Sequence, residues 1–202
     1  GRAMAAEAAA QWLERALGCR VPDEGLLVDA LTHRSFSSRN NERLEYLGDA
    51  VLSFIVAEML YGEFPDATEG ELSRYRASLV SGESLGAIAL DLGLGDHLRL
   101  GEGELKSGGF RRASILADAL EAVIGAVYLG AGLDAARAAV KRLLGPRLSL
   151  LPAAADLKDA KTRLQERLQA RGLALPRYEI LEVTGEPHDQ RFRVRCSADD
   201  LG

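Results

Sequence analysis

Asn41-Glu42-Arg43-Leu44-Glu45-Tyr46-Leu47-Gly48-Asp49-Ala50-Val51-Leu52 is the stretch on which the reading of this chain turns. Its three carboxylates, Glu42, Glu45 and Asp49, stand at offsets of 0, 3 and 7. On a helix turning about 100° per residue they fall within about 60° of one another. The same azimuth continues to Leu52 and Val56, so the acid stripe runs directly into an apolar one. An amphipathic surface helix places its acids opposite its apolar face. Here they share a face with residues that need burial, and like charges packed together repel unless something neutralises them. On spacing alone two readings stand, a solvated acidic face and a site for a divalent cation, whose preferred ligands are oxygens.

Outward from this stretch the chain reads as helical for about three quarters of its length. Trp12, Leu13, Ala16 and Leu17 recur at helical spacing, with Gly18 as a stop. Gly1-Arg2-Ala3 ahead of Met4 reads as an expression remnant and is left out of the fold. Pro22-Asp23-Glu24 opens a second helix with Leu26, Leu27, Ala30 and Leu31 on its buried side, ended by Thr32-His33-Arg34-Ser35. His33 has no second histidine three or four residues away, which favours a structural hydrogen bond over ligation. Residues 37–41 form a polar loop, and the signature helix runs to about Tyr61, stopping near Gly62 and Pro65. Further helices are expected from near Thr68, over 84–92, over 114–129 and over 134–148. Between the second and third of these, Gly93, Gly95, Gly101 and Gly103 break the chain into a loop. Its end, 106–112, is basic and glycine-rich, and can approach phosphates closely. In the 114–129 helix, Leu120, Val123, Ile124 and Val127 make a core face. Asp118 and Glu121 lie one turn apart on another side with Gly125 and Tyr128, a side suited to close approach of a second helix.

Composition bounds the possibilities. The 202 residues are 47% hydrophobic with few aromatics, which suits a Leu, Ala and Val core. No apolar run approaches the roughly 18–20 residues that span a bilayer, and no signal peptide opens the chain. Cys19 and Cys196 lie far apart without CxxC spacing, as expected of free thiols in a reducing cytoplasm. The net charge of −5 argues mildly against nucleic acid, but metal-site acids and phosphate-site bases cancel in that sum. Pro152-Ala153-Ala154-Ala155-Asp156 reads as a linker. Beyond it, 158–171 is a basic helix carrying five Lys or Arg against two acids. Residues 178–183 and 191–196 are strand candidates, the second alternating cleanly, with a loop at 185–190 between them.

The signature stretch resembles that of the ribonuclease III family of double-stranded RNA endonucleases. Gly70-Glu71-Leu72-Ser73-Arg74-Tyr75-Arg76-Ala77, Gly103-Glu104-Leu105-Lys106-Ser107-Gly108-Gly109-Phe110-Arg111-Arg112 and Ile115-Leu116-Ala117-Asp118-Ala119-Leu120-Glu121-Ala122 resemble later blocks in the family's order. The likeness extends from about Trp12 to the end of the chain. It implies a mainly α fold: an all-helical endonuclease domain over 4–151, a linker over 152–157 and an α+β double-stranded-RNA-binding domain over 158–202. That last domain would be truncated in this chain, lacking its third strand and second helix.

The resemblance also implies a chemistry. Phosphodiester hydrolysis needs an activated water and stabilised attacking and leaving oxygens, which two divalent ions ~3.5–4 Å apart can supply when carboxylates converge from separate elements. It assigns Glu45, Asp49, Asp118 and Glu121 to the metal site, with Asp49 and Glu121 catalytic, and Glu42 and Glu69 as auxiliary acids. Magnesium is the expected ion, since it keeps waters and pairs with phosphate oxygens, with manganese able to substitute and no organic cofactor. A carboxylate-bridged di-iron bundle fits worse, because no histidine follows a Glu by three, and no Ser-His-Asp or P-loop pattern is visible. RNA contacts fall to Lys106, Arg111 and Arg112 of the basic loop, to Lys161 and Gln165 of the basic helix, and to His188. The partners implied are duplex RNA and a second copy of the chain, with Tyr46 at the homodimer interface, and no membrane. The expected product is staggered RNA with 5′-phosphates, in processing of ribosomal RNA precursors and messenger RNA. The alternative is a duplex-binding regulator on the same scaffold that does not cleave.

Overall fold

The computed structural model describes residues 1–184 and 191–198, the backbone alone at 152–160, 191 and 192. The chain divides into two compact units, Gly1–Ser149 and Leu150–Gly202.

The first unit is built round α7, Ala113–Ala131, whose sequence of Ala, Leu, Ile and Val packs on nearly every side. Leu120, Val123, Ile124 and Val127 are fully buried, as the core-face reading expects. Burying each such side chain contributes about 1.5–3 kcal/mol. By length and apolar content α7 alone, among the described residues, could cross a bilayer, which the sequence reading did not expect. It is instead a core helix, surrounded by α2 (Glu24–Ala30), α3 (Glu42–Glu63), α5 (Gly82–Asp91) and α8 (Leu133–Leu148), with α3 its most extensive partner.

The α3–α7 contact depends on two glycines. A Cβ on Gly48 would stand 1.7 Å from the carbonyl oxygen of Glu121, and one on Gly125 would stand 2.5 Å from that of Leu44. The backbones of the two helices therefore meet with nothing between them. Past this crossing the stripe on α3 turns apolar as expected, with Leu52 1% and Val56 0% exposed.

The remaining helices follow local signals. α1 spans Arg2–Leu17, so Arg2 and Ala3 belong to it, and it ends at Gly18 with φ of 67°. Trp12 donates its indole N–H to the Leu92 carbonyl at 2.7 Å, which fastens α1 to the end of α5. Asp23 caps α2. Thr68 and Glu71 form a reciprocal capping box that starts α4, Glu69–Leu79. The glycine-rich stretch after α5 is more ordered than a loop: it holds 3₁₀ turns at Leu94–His97 and Gly109–Arg111 with a short α6, Glu102–Lys106, between them.

One clamp matters for the site. Arg99 N–H donates to Leu31 O at 2.8 Å, His33 N–H to Arg99 O at 3.0 Å, and Asn41 N–H to Thr32 O at 2.9 Å. Thr32 and Asn41 are buried polar residues, and each is satisfied: Thr32 Oγ1 donates to Val28 O and Asn41 Nδ2 to Ala30 O. This ties residues 31–41 to the start of α3.

In the second unit α9 runs unbroken over Leu151–Ala170. The segment 152–157, expected as a linker, is therefore helical. Pro152 sits in the first turn, where its missing N–H has no intrahelical role, and the alanines after it favour helix. The strands β1, Arg177–Thr184, and β2, Arg191–Ser197, pair antiparallel from Arg177↔Ser197 to Thr184↔Arg191. A register shift between Ile180 and Glu182 interrupts the pairing, a bulge that β2's clean alternation did not foreshadow. Leu168 is buried, and Lys161 lies over the Tyr178 ring at 4.6 Å. The loop 185–190, with His188, lies outside the described residues.

Candidate active site

Glu42 and Glu45 occupy the first turn of α3, where the positive end of the helix dipole favours carboxylates. Asp49 follows one turn on. Asp118 and Glu121 come from α7, about seventy residues later in sequence. Because Gly48 and Gly125 let the helix backbones touch, the two sets of side chains meet across the crossing. Glu45 is hydrogen-bonded to Asp118, and Asp49 to Glu121. Four carboxylates thus stand as two pairs, and among the described residues none of the four is ion-paired with Lys or Arg.

Buried carboxylates paired without a cation hold protons more tightly than free ones. Burial raises the Glu45 carboxyl above its usual range, helped by the charges of Asp118, Glu42 and Asp49. Asp118 is also raised by burial, against the nearby His33 and the hydrogen bond from Glu45. That bond favours ionised Asp118 and protonated Glu45, so Glu45 is the donor. Glu121 is pushed to about 8, first by burial, then by its hydrogen bond with Asp49 and by the charges of Asp49, Asp118 and Glu45. With its carboxyl near 8, Glu121 keeps its proton at neutral pH.

The donor set fits a hard divalent cation. It is all oxygen, it is under mutual repulsion, and replacing the shared protons with a cation would relieve that repulsion. As they stand, no three His, Cys, Asp or Glu groups among the described residues converge on one point.

A pocket of about 370 Å³ opens beside the cluster, lined by Glu42, Glu45 and Asp118 and by the bases His33, Arg34 and Arg112. Arg112 is held by Glu104 at 2.9 Å and by Ser107 Oγ at 3.3 Å. Arg34 reaches Glu42 only at 3.8 Å, with both side chains largely exposed. Asp49 and Glu121 are not on its wall.

The other candidate residues fall elsewhere. Glu69 is exposed in the first turn of α4 and does not line the pocket. Of the basic-loop residues, Lys106 pairs with Glu102 at 3.7 Å and Arg111 lies over Phe110 at 5.3 Å, so only Arg112 reaches the pocket. Lys161 and the half-buried Gln165 sit on α9. Tyr46, 82% exposed, lines a separate groove of about 920 Å³ with Leu26, Leu47 and Leu129. His33, Arg34 and Glu104 at the pocket were not read from the sequence as site residues. His33 does make the structural hydrogen bond expected of it, to Ser35, but nothing local in the sequence signals its approach to α7.

Comparison with known proteins places the fold and the family. The ribonuclease-III-like family model matches residues 23–148, and the double-stranded RNA binding motif matches 160–201. Ribonuclease 3 of Pseudomonas paraeruginosa is 58% identical over 184 residues, 91% of this chain and 80% of that protein. Ribonuclease 3 of Azotobacter vinelandii is 59% identical over the same shares. The nuclease domain of ribonuclease III from Campylobacter jejuni superposes with a TM-score of 0.65 at 47% identity, covering 66% of this chain and 94% of that one. That structure is described for flexibility in a region involved in dimer formation. Dicer from Pichia stipitis matches at 27% identity with a TM-score of 0.52, over 88% of this chain and 81% of that one.

Proposed function

From the premise that this chain belongs to the ribonuclease III family, we propose that it is a magnesium-dependent homodimer that cuts both strands of an RNA duplex, leaving staggered ends with 5′-phosphates. As a family member it is an endoribonuclease acting on double-stranded RNA. The observation that carries the finer reading is the meeting of Glu45 and Asp49 on α3 with Asp118 and Glu121 on α7, where burial and mutual charge raise the Glu45, Asp118 and Glu121 carboxyls. A divalent ion bound there would activate a water and stabilise charge on the phosphate. The chain's own residues give up the shared protons and present carboxylate oxygens in their place. Arg112 and Arg34, tethered to Glu104 and Glu42, face the same pocket and can turn from carboxylate to phosphate as RNA arrives. Glu42 and Glu69 serve as auxiliary acids, Glu42 from the pocket wall.

The second unit would hold the duplex. A-form RNA offers its 2′-hydroxyls and phosphates rather than its sequence, and the basic face of α9 with Lys161 and Gln165 suits that recognition. His188 and the basic loop would add contacts. Tyr46, exposed beside Leu26, Leu47 and Leu129, would bury its ring against a second copy. The substrates would include ribosomal and messenger RNA precursors in the cytoplasm.

A labelled perfect duplex should be cut with magnesium and left intact with EDTA, while remaining bound. Binding without any cutting in magnesium would instead favour the non-cleaving regulator. A mixed dimer of wild-type and Glu121→Gln chains, separated by different tags, tests the assignment of one site to each strand. It should nick the duplex, giving one cleaved and one intact strand on a denaturing gel. Double-strand cleavage by the purified mixed dimer would show that one site serves both strands.

A further inference from the structure

We propose that His33 contacts the substrate directly: its Nε2–H donates a hydrogen bond to an oxygen of the RNA phosphate bound in the carboxylate pocket. The inference rests on the endonuclease reading above and adds a residue to it. Three observations carry it. First, His33 lines the pocket that Glu45 and Asp118 also line, and its side chain is close enough to Asp118 to act on that carboxylate's charge.

Second, the ring's tautomer follows from its partners. The Ser35 backbone N–H donates to His33 Nδ1 at 3.1 Å. A backbone amide can only donate, so Nδ1 is an acceptor, and the neutral ring must carry its hydrogen on Nε2. The Ser35 hydroxyl, 2.7 Å from Nδ1, itself accepts from Gly101 N–H at 2.9 Å, so its own hydrogen is free to serve Nδ1 as well. No protein partner to Nε2 is found among the described residues. The one unspent donor of the ring is therefore on the edge away from Ser35.

Third, the ring is held in advance. His33 N–H is bound to Arg99 O at 3.0 Å, next to the Thr32↔Arg99 bridge. Gly101 approaches so closely that a Cβ there would stand 2.4 Å from Ser35 O. A residue doing nothing beyond closing this loop would need only Nδ1. A donor fixed in place loses little entropy when a ligand arrives, and a phosphate oxygen is the anion this pocket is built to meet.

Two substitutions separate contact from scaffolding. The side-chain amide of Gln reaches about as far as His Nε2, whereas that of Asn sits where Nδ1 does. His33→Gln therefore keeps the outer donor and weakens the tie to Ser35, while His33→Asn keeps an acceptor for Ser35 and loses the outer donor. Single-turnover cleavage of a duplex at saturating enzyme and magnesium should fall by roughly 10- to 100-fold in His33→Asn and His33→Ala, the range for a hydrogen bond to a charged group. His33→Gln should stay within about fivefold of wild type. Melting temperatures without RNA should follow the opposite order, with Asn nearer to wild type than Gln. Activity retained by His33→Asn, or equal loss in all three variants, would overturn the contact while leaving the endonuclease reading intact. A wild-type chain unable to cut duplex RNA in magnesium would overturn both.

Discussion

Glu121→Gln should lower magnesium-supported cleavage by roughly a thousandfold or more, the scale of several kcal/mol of lost charge stabilisation, and leave duplex binding in place. It should also make the metal-free protein more stable at alkaline pH. The Glu121 carboxyl is pushed from 4.5 to about 8 in the folded chain, by burial first and then by Asp49 and the other acids. A folded carboxyl that holds its proton more tightly than the unfolded one contributes stability below its unfolded value. That contribution is lost as pH rises through about 8. Glu45 and Asp118 are shifted in the same direction. The metal-free wild type should therefore melt at progressively lower temperature between about pH 5 and pH 8.5. Gln has no proton to lose, so the variant's profile should be flatter and cross above wild type near the alkaline end. Magnesium should raise the wild-type melting temperature most at alkaline pH, where the acids are ionised, and raise the variant's less. Calcium, less demanding in geometry, should support binding with little cutting. Near wild-type turnover in Glu121→Gln at ordinary magnesium would show that this carboxylate is not a ligand. A metal-free variant as pH-sensitive as wild type would show that the cluster is not under the repulsion described here.

Gly48→Ala should damage both fold and activity. The new Cβ would stand 1.7 Å from Glu121 O, 2.5 Å from Glu121 C and 3.0 Å from Gly125 N, all of them backbone atoms of α7. No rotamer change relieves a clash with a helix backbone, so α3 and α7 must separate. Overpacking of a well-filled core costs about 1–3 kcal/mol, and this position should lie at or beyond the upper end. The same displacement pulls Glu45 from Asp118 and Asp49 from Glu121, and a misplacement of about 1 Å can slow catalysis roughly a hundredfold. Gly62, also in α3, has nothing within 4 Å of a built Cβ. Gly62→Ala should be neutral or mildly stabilising, since Ala favours helix over Gly by up to about 1 kcal/mol. Thermal melts and cleavage rates of the two variants provide the comparison. Equal tolerance of both substitutions would mean that the close crossing does not set the site.

The sequence by itself determined what depends on neighbours along the chain. Helical periodicity placed Glu42, Glu45 and Asp49 on one stripe and carried it into Leu52 and Val56, because i, i+3 and i+4 geometry is local. The same rule put Asp118, Glu121 and Gly125 on one side of α7, and the Thr68 capping box marked the start of α4. Residues 152–157, read as a linker, are helical, since proline in the first turn and a run of alanine are as compatible with a helix start as with a break. Their helix is continuous with the basic helix that follows.

What only the tertiary structure decided were the meetings between distant segments. Gly48 against Glu121 and Gly125 against Leu44 turn two separate acid stripes into hydrogen-bonded carboxylate pairs. The raised Glu121 carboxyl follows from burial at that crossing, a property no single helix has. Tyr46, one residue from Glu45, points to an open groove although many aromatic residues in helices are core. His33 reaches the neighbourhood of Asp118 only because Leu31, Thr32 and His33 are clamped to Arg99 and Asn41. Periodicity reports which way a side chain faces, whereas contact across a long loop depends on which faces pack together. That choice belongs to the core formed by α3 and α7.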